Sequence, residues 1–399
     1  MLLDLHAHYP MHLLPQERRR THEQLKRWRR ARIRARIVRT LSRFINYQGP
    51  GDSPGVTLEL MQAGDVGVIF SALYQPFDEI DLDKRYGARP DGGYFQDLID
   101  QLEDVEADIA AQRSAGAAVA IAHSPQELAA ALDGGRQVLI HSVEGGFHLG
   151  GEEREIAENV HTLAERGVVC ITVAHLFWRG VATNSPALPF MSDGLYDLVF
   201  RQPKREGLSA LGVAAVQAMA EHGILIDITH MSDRAITDTF DLLDERRCDP
   251  PIPVIATHMA CRLGKLRYNL SDETIARVGK TGGLLGLIAC EHYISDGNAK
   301  PASFEDSFAL LCKHIDHICE VTGSTDHVAF GSDLDGYIKP ALPGIEHLGR
   351  MRTLQEALTA KYGAEKASKF SSGNALRVLG TAWQRAAPPR AAPPGATAA

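Results

Sequence analysis

Met1-Leu-Leu-Asp-Leu-His6-Ala-His8 opens the chain with an apolar run that ends in two histidines spaced i, i+2. On a strand of period two both imidazoles leave the same face, and two imidazoles at one strand end can begin a metal site. A lone His-x-His is as readily a polar strand terminus, so the reading turns on what the other apolar runs carry. Seven more follow, at 66–73, 138–143, 168–174, 224–229, 254–257, 283–289 and 328–331. Between them lie helix-length amphipathic stretches at 97–115, 125–132, 156–166, 209–221, 232–243, 271–279 and 303–321, several opening on Ser, Asp or Pro as helix N-termini prefer.

Eight Val-, Ile- and Leu-rich runs alternating with helices predict parallel strands buried on both faces. The economical closure is an α/β fold of the (β/α)8 TIM-like barrel type. An open doubly wound sheet is the competing architecture, but no Gly-x-Gly-x-x-Gly follows an early strand. A single catalytic barrel is expected over 1–383, interrupted at about 16–48 by an Arg-rich helical insertion. Within it Leu25, Trp28, Ile33, Ile37, Leu41 and Phe44 form a narrow apolar stripe among twelve basic residues. That helix suits an acidic partner, a second subunit in a homo-oligomer or a phosphate-bearing ligand. It equally suits a solvated helix packed on an acidic protein. The Pro/Ala-rich tail at 384–399 has no large apolar residues and is expected to be disordered.

The chain has 399 residues, is 44% hydrophobic and carries a net charge of −8, which points away from nucleic acid and from an anionic membrane surface. No leader pattern opens the sequence and no apolar run approaches the ~20 residues of a membrane span. The six cysteines, Cys170, Cys248, Cys261, Cys290, Cys312 and Cys319, form no Cys-x-x-Cys pair, as expected of reduced thiols in a cytoplasmic protein without a membrane anchor.

Chemistry collects at the C-terminal ends of the runs. The first ends in His6 and His8, the third in Glu144, the fourth in His175, the fifth in His230, the sixth in His258 and the eighth in Asp333. In a barrel these ends share one face, where this architecture places catalysis. Any one of the seven has an ordinary explanation as a cap or turn residue, but their common placement argues for a metal site. Imidazole and carboxylate without thiolate suit Zn²⁺, with Mn²⁺, Fe²⁺ or Co²⁺ as alternatives. There are more donors than one catalytic zinc needs, so two ions sharing a carboxylate are expected, with Glu144 as the bridge.

Several segments, taken together, resemble the membrane (renal) dipeptidases, peptidase family M19 of the amidohydrolase superfamily. They are Val143-Glu144-Gly145-Gly146, Gly207-Leu-Ser, Gly223-Ile-Leu-Ile-Asp227-Ile-Thr-His230-Met-Ser232 and Pro253-Val-Ile-Ala-Thr-His258. Asn269-Leu-Ser-Asp272, His327-Val-Ala-Phe-Gly331-Ser-Asp333-Leu-Asp335-Gly336 and Gly373-Asn374 follow in the family's order. The resemblance implies a TIM-like barrel with two zinc ions that hydrolyses the amide bond of dipeptides, often tolerating a D-residue at the C-terminal position. It implies that His6 and His8 hold one ion, that His230 and His258 hold the other and that Glu144 bridges them. Asp333 would orient the bridging hydroxide and take its proton, and is a further candidate ligand. His175 would bind the scissile carbonyl oxygen.

Two positions depart from the family pattern. His8 stands where the family usually has Asp, removing one negative charge from the metal pair. Tyr268 stands where an Arg usually meets the substrate carboxylate, with Arg267 one residue earlier. Arg267 or Arg262 is then left for that role, with Tyr268 beside it, or the substrate lacks a carboxylate there. The alternatives are an amidohydrolase for another small amide, lactam or ester, and a catalytically silent barrel that binds or assembles through the Arg-rich helix.

Overall fold

Strands that read as unbroken apolar runs have no polar face to show to water, and in the computed structural model they are buried on both sides. The structure describes residues 1–13, 54–81, 84–336 and 340–385. The Arg-rich insertion and the tail from 386 onward lie outside the described residues. The strands are β1 (Leu2–Ala7), β2 (Val66–Leu73), β3 (Val119–Ile121), β4 (Gln137–Glu144), β5 (Cys170–Thr172), β6 (Leu225–Asp227), β7 (Val254–Met259), β8 (Leu284–Leu287) and β9 (Val328–Phe330). All the pairings are parallel, and β2 lies between β1 and β4, closing the ring β1-β2-β4-β5-β6-β7-β8-β9. These eight are the eight runs of the sequence. The remaining strand, β3, pairs with the start of β4 (Val119↔Gln137 to Ile121↔Leu139) and lies in the Ala-rich stretch 117–122, which is not among the eight runs.

Side-chain alternation divides the core in two. Leu3, Leu5, Val68, Phe70, Val138, Ile140, Leu225, Ile255, Leu284 and Ala329 fill the barrel interior. Neighbours such as Ile69, Leu139, Val143 and Ile226 face the helical layer. The helices follow the sequence closely: α1 (Gly92–Ser114), α2 (Pro125–Asp133), α3 (Glu153–Glu165), α4 (Ala210–His222), α5 (Asp233–Glu245), α6 (Asp272–Lys280) and α7 (Phe304–Thr322). Ser124, Ser209, Ser232, Ser271 and Ser303 cap five of them, each hydroxyl accepting from the backbone N–H three residues on. Such caps contribute about 1 kcal/mol each.

After β9 come helices that the alternating pattern does not anticipate, ending in α8 (Asn374–Arg385), which runs two residues into the predicted tail. Ala375, Val378, Leu379 and Ala382 of α8 pack on the barrel interior. Asn374 Nδ2 donates to the carbonyls of Thr325 and Val328, and Arg377 to those of Gly282 and Asp326, just ahead of β8 and β9. This helix therefore closes the N-terminal mouth and leaves the chemistry to the opposite one.

Candidate metal centre

At the C-terminal mouth, Glu144 ends β4 with its Oε1 buried and without a hydrogen-bond partner. Four imidazoles aim their Nε2 atoms at that oxygen: His175 at 3.3 Å, His6 and His258 at 3.4 Å and His230 at 3.6 Å. His8 Nε2 lies 3.5 Å from Glu144 Oε2 and 3.0 Å from Asp333 Oδ1. Nitrogens also face one another, His6 Nε2 to His8 Nε2 at 3.2 Å and His230 Nε2 to His258 Nε2 at 3.0 Å. Imidazole nitrogens crowded this closely around an unpartnered carboxylate oxygen are a donor set suited to a cation. Three donor atoms come within 4.8 Å of one another in His6, His8 and Glu144, in Glu144, His230 and His258, and in His6, His258 and Asp333. The residues present thus fit two divalent ions, with Glu144 in both of the first two groups.

Local backbone aims these side chains. In β1, four residues from Asp4 to Ala7 oppose three from Ile69 to Ser71, and in β7 four from Ala256 to Met259 oppose three from Leu285 to Leu287. One extra residue inverts the alternation. Leu3, Leu5 and Ile255 fill the barrel, and beyond each bulge His6, His8 and His258 face inward as well. His230 (φ 66°) and Asp333 (φ 56°) adopt the left-handed region, costly for non-glycine residues and common at functional sites.

A buried layer behind the cluster fixes the tautomers of His258 and His175. Asp227 Oδ2 accepts hydroxyl protons from Thr172 and Thr257, each at 2.6 Å, and its Oδ1 accepts from the Thr229 hydroxyl at 2.6 Å. Having donated its one proton to Asp227, the Thr257 hydroxyl is an acceptor for His258 Nδ1–H at 2.9 Å. His258 Nε2 is thereby left with its lone pair toward Glu144. Glu79 does the same work at His175. Its Oε2 accepts from His175 Nδ1 at 2.6 Å and from the Tyr74 hydroxyl at 2.7 Å, while its Oε1 accepts from Phe177 N–H.

Electrostatics separates the groups by role. Burial, with His6 and His230 nearby, holds His258 well below the ordinary imidazole pKa, and burial with His175 lowers His230, so both are neutral as ligands must be. Burial also lowers His175, but Glu144 and Glu79 outweigh it and raise the imidazole to about 9. Burial opposes ionisation of Glu144, yet His175 and His6 hold it well below the usual carboxylate range. Asp333 is pushed well above that range by burial and by the charge on Glu144. Bound cations would pull Asp333 back down.

The structure therefore gathers His6, His8, Glu144, His175, His230, His258 and Asp333 within one cluster. Arg267 and Tyr268 are placed differently. Arg267 pairs with Asp193 and Asp197 through Nε (3.2 Å) and Nη2 (2.8 Å). Tyr268 is buried, its hydroxyl donating to the His258 carbonyl at 2.8 Å and its ring 5.2 Å from that of His230. Arg262 forms a two-pronged pair with Asp233. Sequence reasoning missed Glu79 and Asp227. Glu79 follows β2, a strand end bearing no His or carboxylate of its own, and that gap is the signal that points to the next turn.

The family model described as "Membrane dipeptidase (Peptidase family M19)" matches residues 3–392. An uncharacterized dipeptidase of Schizosaccharomyces pombe is 29% identical over 185 residues, 46% of this chain and 39% of the fungal protein. The dipeptidase AC, a family M19 metallo-peptidase, superposes with a TM-score of 0.66 at 20% identity, covering 96% of this chain and 98% of its own. A Rhodobacter sphaeroides metallo-peptidase, liganded with a phosphinate mimic of the dipeptide L-Ala-D-Ala, gives 0.66 at 19% identity, covering 96% and 99%. With its barrel, its clustered His and carboxylate donors and a family match over almost its whole length, the chain belongs to the membrane dipeptidases of peptidase family M19.

Proposed function

We propose that the protein hydrolyses the amide bond of dipeptides with two divalent ions, zinc by donor type, and that it accepts a D-residue at the C-terminal position. The observation that carries this reading is Glu144 Oε1, buried without a hydrogen bond between the His6/His8 and His230/His258 nitrogen pairs. His6 and His8 would hold one ion, His230 and His258 the other, with Glu144 shared. Ions held there would supply Lewis-acid polarisation of the amide carbonyl and would lower the pKa of a bound water toward ~7. The bound dipeptide mimic of the Rhodobacter sphaeroides structure supports the substrate class and the D-residue.

The chain's own residues do the rest. Asp333, its Oδ1 3.0 Å from His8 Nε2, orients the attacking water and takes its proton. His175, kept cationic by the Glu79 carboxylate on its Nδ1–H, donates Nε2–H to the carbonyl oxygen as negative charge develops there, a contribution of about 3 kcal/mol for one such donor. Arg267 and Tyr268 are the proposed contacts for the substrate's carboxyl end, Arg267 exchanging Asp193 and Asp197 for it. Six free cysteines support a cytoplasmic location. Among the described residues no helix is long and apolar enough to cross a membrane.

A small amide, lactam or ester without a terminal carboxylate is the second reading, favoured by the carboxylates that already neutralise Arg267. Rates on L-Ala-D-Ala, L-Ala-L-Ala and N-acetyl amino acids, before and after chelation and zinc restoration, test both. Dipeptide turnover that vanishes with the metal and returns with zinc is expected. Full activity after chelation would sink the mechanism, and N-acyl substrates outrunning both dipeptides would favour the second reading.

A further inference from the structure

A second group of donors lies on the outer wall of the barrel. His141, on the helix-facing side of β4, is fully buried, and neither of its ring nitrogens has a hydrogen-bond partner. Its Nε2 points at Glu106 Oε1 of helix α1 from 3.7 Å, and His123 Nε2 approaches the same oxygen at 3.9 Å. One donor atom from each of the three lies within 4.8 Å of the others. Separations of this size are too long for hydrogen bonds. The two distances to Glu106 Oε1 are about 0.4–0.6 Å longer than the ~3.3 Å that separates two donors sharing one tetrahedral zinc at ~2.0 Å.

The surroundings prepare these atoms as ligands. Glu127 Oε2 accepts from His123 backbone N–H at 2.8 Å and lies 3.2 Å from its Nδ1, which fixes Nδ1–H and turns the Nε2 lone pair toward Glu106. Arg166 Nη2 donates to Glu106 Oε2 at 2.8 Å, leaving Oε1 for the histidines. Glu103, Glu106 and Glu127 outnumber Arg166 locally, so the field favours a cation. Burial lowers the pKa of His141, keeping the neutral form that ligates. Nothing in the proposed hydrolysis uses any of these residues.

We propose that Glu106, His123 and His141 bind a further divalent transition-metal ion, Zn²⁺ by donor type, on the outer wall of the barrel. The partly exposed His123 side, 40% accessible, admits water as the fourth ligand. The ion would tie α1 and the turn after β3 to β4, three residues before Glu144. It does not rest on the hydrolase reading.

The test is metal content by mass spectrometry after the holoprotein is equilibrated with excess Zn²⁺ and desalted. His123→Ala, altered at the exposed rim, and the shape-preserving Glu106→Gln should each hold one equivalent less than wild type, with dipeptide turnover unchanged in His123→Ala. The same one-equivalent deficit should appear when His123→Ala is added to Glu144→Gln, so the result is independent of the main centre. Equal metal content in wild type and both variants would overturn the proposal.

Discussion

The rings of His6 and His258 stand 4.0 Å apart although they come from β1 and β7, and each lies at a one-residue bulge in its strand. A regular strand that points Leu3 and Leu5 into the barrel would point His6 at the helices. The bulge in β1 is stabilised by Asp4, whose Oδ1 accepts from His6 N–H at 3.1 Å and from Ser332 N–H at 2.8 Å. Burial raises the pKa of Asp4. An amide of the same shape can therefore stand in for it. Asp4→Ala should cost about 2–3 kcal/mol by orphaning two buried donors, and should lower metal content. Asp4→Asn, keeping the acceptor, should restore both, as chemical denaturation and metal analysis would register. Equal damage from both variants would mean that charge, not bulge geometry, is what Asp4 supplies.

Glu79 and His175 are joined at 2.6 Å, and Glu79 touches no other member of the donor cluster. Glu79→Gln keeps a similar shape but removes the charge that helps keep His175 cationic. Because the imidazolium is proposed to act on developing charge, kcat should fall about 10- to 100-fold while KM changes little. A rise in KM with kcat intact would place His175 in ground-state binding instead.

The eight barrel strands and the shared mouth of the site were legible because burial on both faces leaves continuous apolar runs, and because six of the eight runs ended in a residue of metal-binding type. Serine caps set the helix starts for the same local reason. Register is not local, so the bulges that invert β1 and β7 could not be read from Leu5-His6-Ala7-His8 or from Thr257-His258. Glu79 lies beyond the end of its strand, and Asp227 reads as the close of an apolar run until Thr172 and Thr257 are brought to it by neighbouring strands. The pairing of Arg267 with Asp193 and Asp197 crosses some seventy residues, a distance at which sequence pattern carries no charge-pair information.

Gly336 follows Asp333 by three residues, and a Cβ placed on it would lie 2.6 Å from His8 Nε2 and closer still to Asp333 Oδ1. Neither atom can retreat without leaving the cluster. Gly336→Ala should therefore lower turnover about 100-fold or more through misplacement alone, with the circular dichroism spectrum unchanged. Gly380→Ala is the matched control, since a Cβ there, within helix α8, meets nothing within 4 Å. That variant should gain about 0.5–1 kcal/mol of stability and keep full activity. Similar losses from both would point to backbone rigidity in general and away from the contact at Asp333.

His314 supplies a pH dependence that is independent of the metal centre. Buried on helix α7, its Nδ1 accepts from Cys261 N–H at 3.2 Å, so Nε2–H donates to the Ile294 carbonyl at 2.9 Å. Both nitrogens are used in the neutral form, and burial lowers the pKa below its ordinary value of 6.5. The unfolded chain therefore takes up a proton at this residue at a pH where the folded chain does not. Stability from this group is complete above about pH 6.5 and declines as the pH falls below it, by at most about 1.4 kcal/mol per pH unit. His314→Gln, which keeps a donor for Ile294, should be less stable than wild type at pH 7.5 and should lose less on going to pH 5.5. Urea titrations at the two pH values measure the difference. An identical loss in wild type and variant would show that His314 is not among the groups that set acid stability.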